Sequence, residues 1–126
     1  MIFFSAVVSP SVFASLNSKG SSKFLRTIFP RMFLFGFVIS LIAFILTILS
    51  NDLFNSIVLV IIGLSFLINR NYLTPLINNF RDQELEGNSK AAKNFKMMHL
   101  LSVLLFIINF FLLILVIVLN YINYNL

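Results

Sequence analysis

Met97-Met98-His99-Leu100-Leu101-Ser102-Val103-Leu104-Leu105-Phe106-Ile107-Ile108-Asn109-Phe110-Phe111-Leu112-Leu113-Ile114-Leu115-Val116-Ile117-Val118-Leu119 is the run that decides the fold class. It contains no Lys, Arg, Asp or Glu, and its one titratable side chain is His99. A helix needs about 20 predominantly apolar residues to cross a hydrocarbon core of about 30 Å. This run is longer than that, and it is apolar all round.

Three further apolar runs lie upstream, near residues 2–16, 32–50 and 53–70. The chain of 126 residues is 60% hydrophobic and only 10% charged, with a mean hydropathy of +1.02. Soluble domains carry about one quarter charged residues. The expectation is therefore a single all-α integral membrane domain over 1–126, a four-helix bundle with a short or clipped first helix. The first run reaches only about 22 Å at helical rise and contains Pro10. A signal peptide, a short span in a thinned bilayer and a helix that begins upstream compete there. The missing basic n-region argues against the first of these.

The connections between the runs carry the cations. Lys19, Lys23, Arg26 and Arg31 flank the first, over 17–31, and Arg70, Arg81, Lys90, Lys93 and Lys96 flank the third, over 71–96. The second, around Ser50 to Ser56, carries only Asp52. Lys and Arg favour cytoplasmic loops. Four spans with both termini outside put every cation inside, and the expected home is a bacterial inner membrane. The net charge of +5 is spread along helix ends. It reads as orientation signal and as contact with the anionic headgroups of the bilayer, not as a nucleic-acid surface.

Finer features follow from local pattern. Phe24, Leu25, Ile28 and Phe29 suggest a short interfacial helix ahead of Pro30. Leu73, Leu76, Ile77 and Phe80 extend the third helix into the cytoplasm, with a kink expected at Pro75. Gly87-Asn88-Ser89 breaks the chain, and Ser89 is the expected cap of the last helix.

Polar groups inside a span are costly unless they meet a partner or a cavity. His99, Ser102 and Asn109 fall close to one stripe of the fourth helix, which should face the other helices. Ser5 with Ser9, Ser11 with Ser15, and Gly36 with Ser40 are small-xxx-small pairs that permit close helix approach. The readings are packing with interhelical hydrogen bonds, or a polar groove in which His99, Ser102 and Asn109 face Ser9, Pro10 and Gly36. His99 is the only imidazole, and haem or copper is the cofactor it would suit, with Met97, Met98 or Met32 nearby. Consecutive helical residues point about 100° apart, so Met97, Met98 and His99 do not converge unaided. Asp82, Glu84 and Glu86 read as solvated ion pairs near Lys90 and Lys93. The absence of Cys excludes disulfides, thiolate catalysis and cysteine metal sites. There is no phosphate-binding Gly loop or zinc signature either.

Four short patterns occur in order: Phe3-Phe4 with Val8, Pro10 and Phe13; Ile28-Phe29-Pro30-Arg31 with Phe33; Asn71, Pro75, Ile77 and Arg81-Asp82; and Phe95 with His99 and Ser102. Together they resemble the transmembrane protein 205-like family, over nearly the whole chain. The resemblance implies a small four-helix membrane protein without an established activity. It also implies a distant likeness to copper-resistance D-type proteins and to a haem-linked protoporphyrinogen oxidase family, with His99 the one position carried over. The functional expectation is a non-enzymatic helical module that handles a ligand or metal. A haem-associated redox protein and a structural subunit of a larger complex are the rivals. A homo-oligomer or another membrane protein is the expected partner.

Overall fold

The computed structural model describes residues 3–125, apart from the side chains of residues 5, 124 and 125. As the apolar runs predict, the fold is all-α, and no strand occurs among the described residues. The described residues form four helices, with Leu53–Leu85 counted as one, and three of the four are long and apolar enough to cross a membrane. A π-helical turn, Phe4–Val8, leads into α1, Ser9–Ser15. Helix α2 covers Ser18–Leu49. Helix α3, Leu53–Ile68, passes through a π-helical stretch, Asn69–Leu73, into α4, Thr74–Leu85. Helix α5 covers Ser89–Asn125.

The separate interfacial helix before Pro30 does not exist, since α2 runs through Pro30 without a break. The missing N–H of one proline removes one ladder bond, and the amphipathic turns on either side stay in register. Helix α3 likewise continues into α4 as one body, Leu53–Leu85. The helix widens just before Pro75. The N–H of Thr74 and its Oγ1, the latter at 2.7 Å, both donate to the carbonyl of Asn69. A π turn adds one residue to the ladder, so the carbonyl of Asn69 is met from Thr74, directly ahead of the proline.

The α3–α4 helix is the core of the molecule. Half of its most apolar window is buried, against 11% for α2 and 6% for α5. Helices α2 and α5 flank it, while α1 packs on α2. Phe33, Val58, Ile62 and Phe66 form the central cluster, with Met32 and Phe37 of α2 and Leu112 and Val116 of α5 against it. Gly36 leaves room for the Phe66 ring. The expected close approach at the Gly36 and Ser40 pair is therefore split: an aromatic ring fills one step, and Ser40 meets Gly63 at the other. Ser21 is buried, and its hydroxyl donates to the carbonyls of Val12 and Leu16, tying α1 to the start of α2.

The turns use side-chain caps. Asp52 Oδ1 accepts the N–H of Asn55 at the start of α3, after Asn51 turns the chain at φ 55°. Before α5 the cap is Asn88, not Ser89. Asn88 Oδ1 accepts from the N–H of Lys90 and of Ala91.

Candidate functional site

Helix α5 follows a seven-residue repeat. Ala91, Phe95, Met98, Ser102, Leu105, Asn109, Leu112, Val116 and Leu119, spaced alternately by four and three, are all at least partly buried. Such spacing keeps one seam against a partner helix. The partner is α3–α4, running antiparallel. Along the seam Ser102 donates to Asn69 Oδ1, Asn109 Nδ2 donates to Ser65 Oγ at 3.0 Å, and Asn55 Nδ2 donates to Asn120 Oδ1 at 3.1 Å. Interhelical bonds of this kind contribute about 0.6 kcal/mol each on average. Their larger effect is on register, because any slip of α5 strands buried amides in an apolar contact. Two amide atoms, Asn69 Nδ2 and Asn55 Oδ1, are buried without a partner.

The predicted stripe is thus divided. Ser102 and Asn109 face the interior, whereas His99 is exposed and stacks on Phe95, with ring centroids 5.9 Å apart. Gly36 lies at the α2–α3 contact, against Phe66. Ser9 is half-buried and Pro10 exposed, on an α1 that meets α2 and not α5. The side chain of Ser5 lies outside the described residues. The structure therefore does not bring Ser9, Pro10 or Gly36 to His99, Ser102 and Asn109.

Met97 is exposed, and Met32 packs into the α2–α3 core. Among the described residues no three His, Cys, Asp or Glu side chains gather to hold a metal ion. The polar partners that sequence reasoning missed are Ser65, Asn69 and Asn55. Ser65 is a lone polar residue within an apolar run, while Asn55 and Asn69 lie at the ends of that run beside Ser56 and Arg70; a polar group so placed needs an interior partner in lipid.

A second feature lies at the cationic end of the helices. An open cleft of about 630 Å³ between α2 and α4 is lined by Ser18, Lys19, Ser22, Lys23, Arg26, Thr27, Arg81, Asp82 and Leu85. Arg26 grips Asp82 with both terminal nitrogens, at 3.0 and 2.5 Å. This fork is the strong geometry for a guanidinium–carboxylate pair. Arg81 pairs with Glu84 at 2.5 Å and lies 5.5 Å from the centre of the Phe95 ring. Asp82 and Glu84 thus pair with Arg26 and Arg81, and not with the expected Lys90 and Lys93.

The Arg26 hydrogen bond, and then its charge, hold the Asp82 carboxyl below the usual carboxylate range. Asp82 in turn raises Arg26. A depressed acid adds stability above its unfolded value of about 3.9, and that stability is lost as pH falls through the folded value. The contribution of the raised Arg26 persists below its own unfolded value and is lost only in strong alkali. Acidification from about pH 7 to about pH 3 should therefore weaken the α2–α4 contact in the wild type. Asp82→Asn, which lacks this contribution at both pH values, should lose less. Thermal melts of the detergent-solubilised protein check this. An equal acid loss in both proteins would refute the assignment. The pair is partly exposed, so the effect is small.

Comparison with curated proteins and with solved structures finds no match. A family profile does match, over residues 1–86, which include α1 to α4 and the whole cleft but not α5. On that match, which spans more than half of its length, the chain belongs to the family described as Domain of unknown function (DUF4149).

Proposed function

We propose that the protein is a non-enzymatic, multi-pass helical module of a bacterial inner membrane that handles a ligand at its cationic end. Its two termini lie outside and both basic connections in the cytoplasm. The observation that carries this reading is the meeting of the two basic segments at one end of the fold, through the Arg26–Asp82 pair. The opposite end carries Asp52 in its turn and Asn120 beside it.

Levels along the helices support it. Arg31 lies about 28 Å of helical rise from Ser50, and Arg70 about 26 Å from Leu53. Both distances approximate the hydrocarbon thickness of about 30 Å. The first cation on each helix therefore falls where the headgroups begin. In this reading the four helices act as one bundle, the arrangement that a resemblance to the transmembrane protein 205-like family would imply. The seam of Ser102 and Asn109 sets register, and the cleft meets the ligand.

The chain contains no cysteine, so single introduced thiols report side directly. Cysteines at Ser18 and at Ser89 are expected to resist an impermeant thiol reagent in intact cells and to react after permeabilisation. Labelling of either from outside sinks the orientation. A Soret band in the purified protein that His99→Ala abolishes would replace this reading with the haem-linked one. Stoichiometric co-purification of another chain in mild detergent, with the cleft inert, would replace it with a structural subunit.

A further inference from the structure

Building on that orientation, we propose that the cleft between α2 and α4 binds a phosphate group, with Lys19 and Lys23 as its free cations and Asp82 as the internal anion that holds Arg26 back. Lys19, Lys23 and Arg26 lie on one stripe of α2, spaced by four and by three, and Arg81 faces them from α4. The cleft thus sets four cations against one carboxylate.

The four are not equivalent. Arg26 is taken by Asp82 and Arg81 by Glu84. These are the ion pairs found among the described residues, so Lys19 and Lys23, both exposed, have no acidic partner. Ser22 adds a hydroxyl to the same wall, and Leu85 supplies an apolar one. Ammonium groups and a hydroxyl around an open cleft suit a compact, highly charged oxyanion. Asp82 already occupies Arg26 with the two-oxygen geometry that a phosphate would use.

Depth favours the same chemistry. Arg26 lies about 8 Å and Lys19 about 18 Å of rise beyond Arg31. That interval starts at the outer edge of a headgroup layer about 5–8 Å thick on each side and extends into water. Both a phospholipid headgroup and a soluble phosphate ester reach it.

The test uses the full chain in nanodiscs of phosphatidylcholine, with or without phosphatidylglycerol, and counts lipids retained on mild detergent release by native mass spectrometry. Inorganic phosphate is titrated separately by calorimetry in detergent. Lys19→Gln with Lys23→Gln should weaken binding of the effective probe roughly thirtyfold. Asp82→Asn should tighten it by releasing Arg26. Lys93→Gln with Lys96→Gln removes the same charge from α5 outside the cleft and should change little. Phosphatidylglycerol retention that phosphate does not displace assigns a lipid. Calorimetric phosphate binding with the same variant dependence assigns a soluble ester. Equal losses in the two lysine pairs, or no binding of either probe, overturn the proposal. If the thiols at Ser18 and Ser89 remain shielded in that case, the orientation stands and only the phosphate assignment fails.

Discussion

Replacing Gly36 with valine is expected to destabilise the protein by about 3 kcal/mol, at the upper end for an overpacked core. A Cβ at this position would sit 2.8, 2.9 and 3.0 Å from three ring atoms of Phe66. The ring cannot step aside. Phe66 is 8% exposed and packs on Phe33, with centroids 6.5 Å apart, and both belong to the cluster around Ile62. Relief would require α2 to move off α3, and in lipid these helices are held by close packing rather than by exclusion of water. Phe66→Leu vacates part of the ring volume and should recover much of the loss in the Gly36→Val background, although alone it destabilises by leaving a gap. Thermal melts in mild detergent followed by far-ultraviolet circular dichroism measure all three variants. Wild-type stability of Gly36→Val, or no recovery in the double variant, would contradict the ring-in-groove packing.

The second large effect concerns Asn109. This residue is 3% exposed within the longest apolar run of the chain. Asn109→Asp keeps the shape but removes the donor to Ser65 and introduces a carboxylate at the middle of a membrane-length helix. The expected cost is about 3 kcal/mol, the scale for an acid at a helix centre. Asn109→Leu removes the polar group altogether. The Ser65 hydroxyl then turns to a carbonyl of its own helix, and the expected loss is under about 2 kcal/mol. The ordering is the test: the aspartate variant should express and melt far worse than the leucine variant. Equal damage from both would mean that the amide does more than hold register. Loss of a ligand effect in a stably folded Asn109→Leu protein would place Asn109 in a binding site.

The pairings of the seam illustrate how far local pattern reaches. Ser102 and Asn109 stood out in the sequence because a polar residue in an apolar run needs a partner. Ser65 and Asn69 are 44 and 33 residues away from those two, and nothing in either segment names the other. His99 shows the reverse case. Its position near the same stripe suggested an interior contact, but it lies near the cationic end of α5, where Phe95 four residues earlier covers one ring face and the side chain is otherwise exposed. The cleft was half legible: the cations were counted, yet the Arg26–Asp82 pair joins residues 56 apart and appears only when α2 and α4 are side by side.

Composition and the length of the apolar runs were sufficient for the all-α fold and for three membrane-length helices, because both depend on the cost of exposing backbone and charge to lipid, which each segment meets alone. The spacing of α5 also held its seam, since a heptad is a property of one helix. Which helix lies at the centre, where the π turn absorbs Pro75, and which cations remain free in the cleft were decided only by tertiary structure. Those features depend on steric fit and hydrogen bonds between segments distant in the chain, where a single ring such as Phe66 against Gly36 selects one packing among several of similar hydrophobicity.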